Sequence, residues 1–101
     1  MIQVTEVKVY PVRSSDRDGR LRAYATIVLD GVFIVRDLKV ILGNDGGLFV
    51  SMPSRRSKYG TFRDIAHPLN SEMRQEIESK VVAEYERAAS SGVLGEAYDV
   101  E

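Results

Sequence analysis

Residues 21–29 alternate without a break between an apolar set (Leu21, Ala23, Ala25, Ile27, Leu29) and a mixed set (Arg22, Tyr24, Thr26, Val28). That period of two belongs to a strand with one face on a core. Asp30-Gly31 follows, and then a second apolar-rich run from Val32 to Val40. An Asp-Gly link between two such runs predicts a hairpin with a type I′ turn, because glycine accepts the positive φ that this turn requires. A two-residue link places Leu29 opposite Val32, then Ile27 opposite Ile34, Ala25 opposite Arg36, Ala23 opposite Leu38 and Leu21 opposite Val40. That face is expected to be the core face. The other face then gathers Val28, Phe33 and Val35 into an apolar patch, the expected seat of a partner subunit.

The flanking segments extend this pair into a sheet. Ile2 and Val4 share one parity and Val7 and Val9 the other, so the first strand is expected to slip phase at a bulge near Thr5 and Glu6. Pro11 confines that strand to an edge or an end. Residues 14–19 form a polar, turn-forming loop, and Gly43-Asn44-Asp45-Gly46-Gly47 is a turn cluster. Leu48, Val50 and Met52 then alternate with Phe49 and Ser51 as a short strand that stops at Pro53. Residues 54–68 carry no sustained period and are expected as a loop. From residue 69 to 89 the period changes: Met73, Ile77, Val81, Tyr85 and Ala88 recur at helical spacing after a capping Asn70 or Ser71, and Ser90-Ser91-Gly92 stops the run. The reading is an α+β domain over residues 1–89, a meander of about four to five antiparallel strands packed with one C-terminal helix. Residues 90–101 follow as an acidic tail.

Composition narrows the function classes. The chain of 101 residues is 44% apolar and 29% charged, enough for one modest core. It has no cysteine, which removes disulfides, thiolate metal ligands and thiol nucleophiles and suits a reducing cytoplasm, the expected location. No apolar run is long enough to span a membrane. The net charge is −1, but it is unevenly spread. Between residues 51 and 68 four cations (Arg55, Arg56, Lys58, Arg63) stand against Asp64 alone, whereas residues 69–101 carry three cations and eight carboxylates.

Catalytic constellations are hard to assemble. His67 is the single histidine and lies between Ala66 and Pro68 without ligand spacing. The glycines at 43, 46 and 47 match no phosphate-loop pattern and are accounted for by a turn. Glu76 and Glu78 point to different sides of a helix and are expected to be solvated. No nucleophile, base and acid set converges. The chain is therefore expected not to be an enzyme and to hold no cofactor or metal. The basic stretch offers a different chemistry. Arg55, Arg56, Lys58 and Arg63 suit phosphates, Ser54 and Ser57 can donate to phosphate oxygens, and Tyr59 can stack on a base. The helix start at Ser71, with Arg74 one turn in, is a second anion-attracting feature. The alternatives are a solvated loop whose arginines pair with the acidic helix, and a protein-interaction module of the division machinery that uses the apolar patch or an unpaired strand edge.

Four stretches carry a resemblance: Ile27-Val28-Leu29-Asp30, the run from Phe33 to Ile41, Gly47-Leu48-Phe49-Val50-Ser51-Met52-Pro53-Ser54-Arg55-Arg56, and the run from Phe62 through Asp64-Ile65-Ala66-His67-Pro68 to Ser71. Over about residues 1–88 the chain resembles the SpoVG proteins. The resemblance implies a curved antiparallel sheet with a C-terminal helix, a homodimer and no catalysis. It further implies binding of DNA or RNA in the control of septation and, in spore formers, sporulation; division proteins are expected as partners under the protein-interaction alternative. Ser54, Arg55, Arg56, Ser57, Lys58, Ser71 and Arg74 match the contact segments, and His67 takes a structural role. Ser57-Lys58-Tyr59 stands where the family frequently carries a Thr-Pro turn.

Overall fold

The computed structural model describes residues 2–12 and 19–90. Apart from Gly19, the loop expected at residues 14–19 lies outside them, as does the acidic tail from residue 91 onward. Strands β1 (Val4–Pro11), β2 (Leu21–Leu29), β3 (Phe33–Leu42) and β4 (Leu48–Ser51) form an antiparallel sheet in sequence order. Strands β5 (Ser54–Arg56) and β6 (Phe62–Asp64) pair separately, and helix α1 (Ser71–Ser90) follows. The architecture is α+β, as the periodicities predict.

The turn after β2 has the expected chemistry and an unexpected length. Asp30 and Gly31 both take positive φ, at 52° and 69°, and the Val32 N–H donates to the Leu29 carbonyl at 3.0 Å. Those are the features of the predicted type I′ turn. Val32, however, stays out of the ladder and is 84% exposed, so Leu29 pairs with Phe33, Val28 with Ile34 and Ile27 with Val35. One residue of slip exchanges the faces of everything on β3 before the next irregularity. The expected register is thereby overturned. So is the expected patch: Phe33 and Val35 oppose the core residues Leu29 and Ile27, whereas Val28 pairs with Ile34 and belongs to the other face. Further along, Ile27 opposes Val35 but Ala25 opposes Leu38, leaving one extra residue on β3, and Asp37 adopts φ 68° there. This bulge reverses the parity again, so Leu38 and Val40 reach the core as predicted, but beside Ala25 and Ala23.

The β1 bulge is where the phase slip puts it, between Val4 and Glu6. Thr5, the extra residue, donates its hydroxyl to the Val28 carbonyl at 3.2 Å and accepts the Gly31 N–H at 2.8 Å. The irregular start of one strand thus braces the turn of the next hairpin.

Helix α1 begins where the sequence signals it. Asn70 Oδ1 accepts the Met73 N–H at 2.8 Å, satisfying one of the otherwise free amides of the first turn. Ile77, Val81 and Ala88 are buried, with Ile77 and Val81 set among Val4, Ala23, Ala25, Ile27, Leu38, Val40, Val50 and Met52. Two glutamates fasten the helix to opposite margins of the sheet. Glu76 Oε2 accepts the Val4 N–H on β1 at 3.1 Å and pairs with Lys80 at 2.7 Å, while Lys80 Nζ donates to the Val4 carbonyl at 2.9 Å. Glu78 Oε2 accepts the Val50 N–H on β4 at 3.2 Å. The two carboxylates do point to different sides, but they cap edge-strand amides rather than only facing solvent.

Residues 54–68 were expected as a loop, and β5 and β6 correct that expectation. Each strand is three residues long, too short for alternation to register as a period.

Candidate nucleic-acid interface

The β5–β6 hairpin pairs Ser54 with Asp64, Arg55 with Arg63 and Arg56 with Phe62. Its closing turn is organised by Ser57. The Ser57 N–H donates to the Thr61 carbonyl at 2.7 Å, and the Gly60 N–H donates to the Ser57 carbonyl at 3.0 Å. The Ser57 Oγ accepts the Tyr59 and Thr61 amides at 3.2 and 3.3 Å and lies 2.8 Å from the Thr61 hydroxyl. Gly60 takes φ 87°, a conformation costly for any residue with a Cβ. Ser57 is thus engaged in building the turn. The hydroxyl expected to donate to phosphate already faces the Thr61 hydroxyl, and either oxygen can supply the proton of that contact.

Cations surround that turn. Arg55 and Arg63 sit directly opposite each other across the two strands, an arrangement of like charges that is unfavourable unless something anionic lies between them. Together with Arg56, Ser57 and Lys58 they line a hollow of about 380 Å³. Lys58 Nζ lies 5.3 Å from the centroid of the Tyr59 ring, within cation–π range, and the ring is 82% exposed. Among the described residues, Arg55, Arg56, Lys58 and Arg63 make no ion pair. The basic stretch therefore does not pair with the acidic helix, where Glu76, Glu78 and Glu84 find their partners on α1 or on the sheet margin. The Arg87 guanidinium holds the Glu84 carboxyl below the usual range, and the Lys80 hydrogen bond does the same for Glu76, with the Val4 amide adding to it.

The hairpin stands off the main body. Its backbone approaches no other strand and not α1. Its base is tied by the Ile65 N–H, which donates to the Pro53 carbonyl at 2.7 Å. Ser71 and Arg74, both exposed, open the helix, but the structure does not bring them against the basic hairpin. Glu72 in the same first turn already complements the positive end of the helix. Two residues escape sequence reasoning: Thr61, which locks the turn, and Phe62, which is 70% exposed beside Arg56. Neither stands out until the strand pairing is known.

A second surface lies between the turn end of the β2–β3 hairpin and the start of α1. A groove of about 410 Å³ is walled by Leu29, Phe33, Val35, Leu69 and Met73, with His67 at its rim. Phe33 is 63% exposed and Leu69 92%. His67 Nδ1 lies 3.0 Å from the Pro68 carbonyl, a local contact that fits a structural part. Among the described residues no three His, Asp or Glu side chains cluster as metal ligands, and no helix is long and apolar enough to cross a membrane.

The family model for SpoVG matches residues 2–87. The chain belongs to the SpoVG family. Among curated SpoVG relatives, the "Putative septation protein SpoVG" of Anaeromyxobacter dehalogenans strain 2CP-C is 50% identical over 96 residues, covering 95% of this chain and 90% of its own. Those of Bdellovibrio bacteriovorus and Myxococcus xanthus are 54% and 46% identical, over 89% and 92% of this chain and 79% and 92% of theirs. The SpoVG match takes in both sheets, the hairpin and all but the last turn of α1.

Proposed function

We propose that this SpoVG chain is a non-enzymatic, nucleic-acid-binding regulator that acts in control of the division septum and, in a spore-forming host, of sporulation. The observation that carries the binding half is the standing hairpin with four cations and no ion pair among the described residues. Unpaired surface cations on a projecting element reach a polyanion at little desolvation cost, and the counterions released make binding steeply salt-dependent. The septation half is supported by the name of the curated relatives. Dimerisation through the apolar groove would double the number of hairpins presented to one strand and raise avidity.

The test is binding of labelled DNA and RNA at two salt concentrations, with the full chain and an Arg55→Ala, Arg56→Ala, Lys58→Ala variant. Loss of about three phosphate contacts should flatten the log–log salt slope by about 2 to 3. Undiminished binding by the variant would move the site off the hairpin.

A second reading is favoured by the groove itself. Phe33 and Leu69 expose apolar surface of the kind that meets a partner protein. A division protein docked there would associate in a salt-tolerant way, and the Arg55, Arg56, Lys58 variant would retain that association.

A further inference from the structure

The hairpin carries more than charge. A polyanion clamp needs only cations, yet Tyr59 projects at the tip with 82% of its surface in water and Lys58 set over its ring. From this, and resting on the nucleic-acid reading above, we propose that the hairpin is a single-strand clamp. The hollow between Arg55 and Arg63 seats a backbone phosphate, and Tyr59 stacks on the neighbouring unpaired base.

Three observations converge on that assignment. The hollow is concave and about 380 Å³ in volume, and it is lined by Arg55, Arg56, Ser57, Lys58 and Arg63. It is wide enough to admit a backbone phosphate among four cations. The opposed Arg55 and Arg63 supply two forks for the same anion, and the anion relieves their mutual repulsion. Lys58 lies over the Tyr59 ring at 5.3 Å. With Tyr59 82% exposed, a ring face remains open to a base. A base offers its face only when unpaired, because a duplex buries base faces in its stack and presents edges in the grooves. An aromatic face next to a phosphate seat therefore discriminates strand state and tolerates any base.

The experiment is fluorescence anisotropy of the full chain with a 20-nucleotide oligothymidine, the matching oligouridine and the thymidine–adenine duplex at one fixed low salt concentration. The single strands are expected to bind about tenfold or more tighter than the duplex. Tyr59→Ala should lower single-strand affinity by about 5- to 100-fold and leave duplex affinity unchanged, whereas Tyr59→Phe should keep the preference. Arg55→Ala with Arg63→Ala should weaken single strand and duplex alike. Equal or tighter duplex binding, or an equal loss on both ligands in Tyr59→Ala, would overturn the single-strand assignment and leave nucleic-acid binding standing. No binding of any of the three would overturn the nucleic-acid reading and this inference with it.

Discussion

Glu76 shows how much one side chain does at the margin of this sheet. Its carboxylate bonds to Lys80 and to the Val4 amide and is held below the usual carboxylate range by them, Lys80 first. A carboxyl depressed in the folded state stabilises above the pH at which an unfolded glutamate titrates. That stability is lost as pH falls through the folded value. Melting curves across pH 2.5–6 should therefore show Glu76→Gln with a lower Tm near pH 6 and a flatter acid limb than the parent. Superimposable curves would mean that the contact contributes nothing. Asn70 offers a second residue-level test. Its cap on Met73 is a single 2.8 Å bond, and Asn70→Ala should cost about 1 kcal/mol in urea unfolding. These two contacts also mark how far the sequence reaches at this scale. A capping Asn before a helical period is readable, because cap chemistry is local. The Glu76 bond spans 72 positions and needs the folded chain.

Among elements, the β2–β3 hairpin is the instructive one. Asp30-Gly31 announces its turn type by composition, since glycine relieves the positive φ. Nothing in the letters says that Val32 is left outside the ladder, because an apolar β-branched residue reads as a strand start. Asp37 hides the second irregularity: aspartate is among the residues enriched at positive φ, but within an otherwise strand-like run that preference is too weak to mark a bulge. The bulge still returns Leu38 and Val40 to the core. The Thr5 bulge was legible because apolar parity changes across it. Burial separates the elements energetically as well. Ile27 on β2 is 1% exposed, so Ile27→Ala should cost about 2–5 kcal/mol. Phe62→Ala on β6 should stay within about 0.5 kcal/mol, because that ring lies largely in water. Urea unfolding of the two variants checks the contrast.

At the scale of the whole molecule the chain divides its labour between a packed body and two outward features. The groove beside α1 was invisible in the sequence because its walls come from β2, β3, the 66–70 connection and the helix, brought together only by folding. The expected patch of Val28, Phe33 and Val35 named two of its residues for a register that does not occur. Leu69→Glu, at a position 92% exposed, should leave the fold intact. If the groove is the dimer seat, light scattering should show a monomer for this variant and a dimer for the parent. The basic hairpin was legible in charge but not in shape, since three-residue strands leave no period. Replacing residues 55–63 by a short Gly-Ser link should shift the unfolding free energy of the body by no more than about 0.5 kcal/mol while abolishing nucleic-acid binding. A large loss of stability would contradict the hairpin's separation from the body.

That separation has a consequence for how such a protein can diversify. Because β5 and β6 lean on no other strand or helix, most substitutions there cost the fold little. Ser57, Gly60 and Thr61 are the exceptions, since they build the turn itself. Two chains with the same sheet and helix could therefore drift to quite different target preferences by rewriting half a dozen surface positions. The body would serve as an inherited handle, the hairpin as its interchangeable bit.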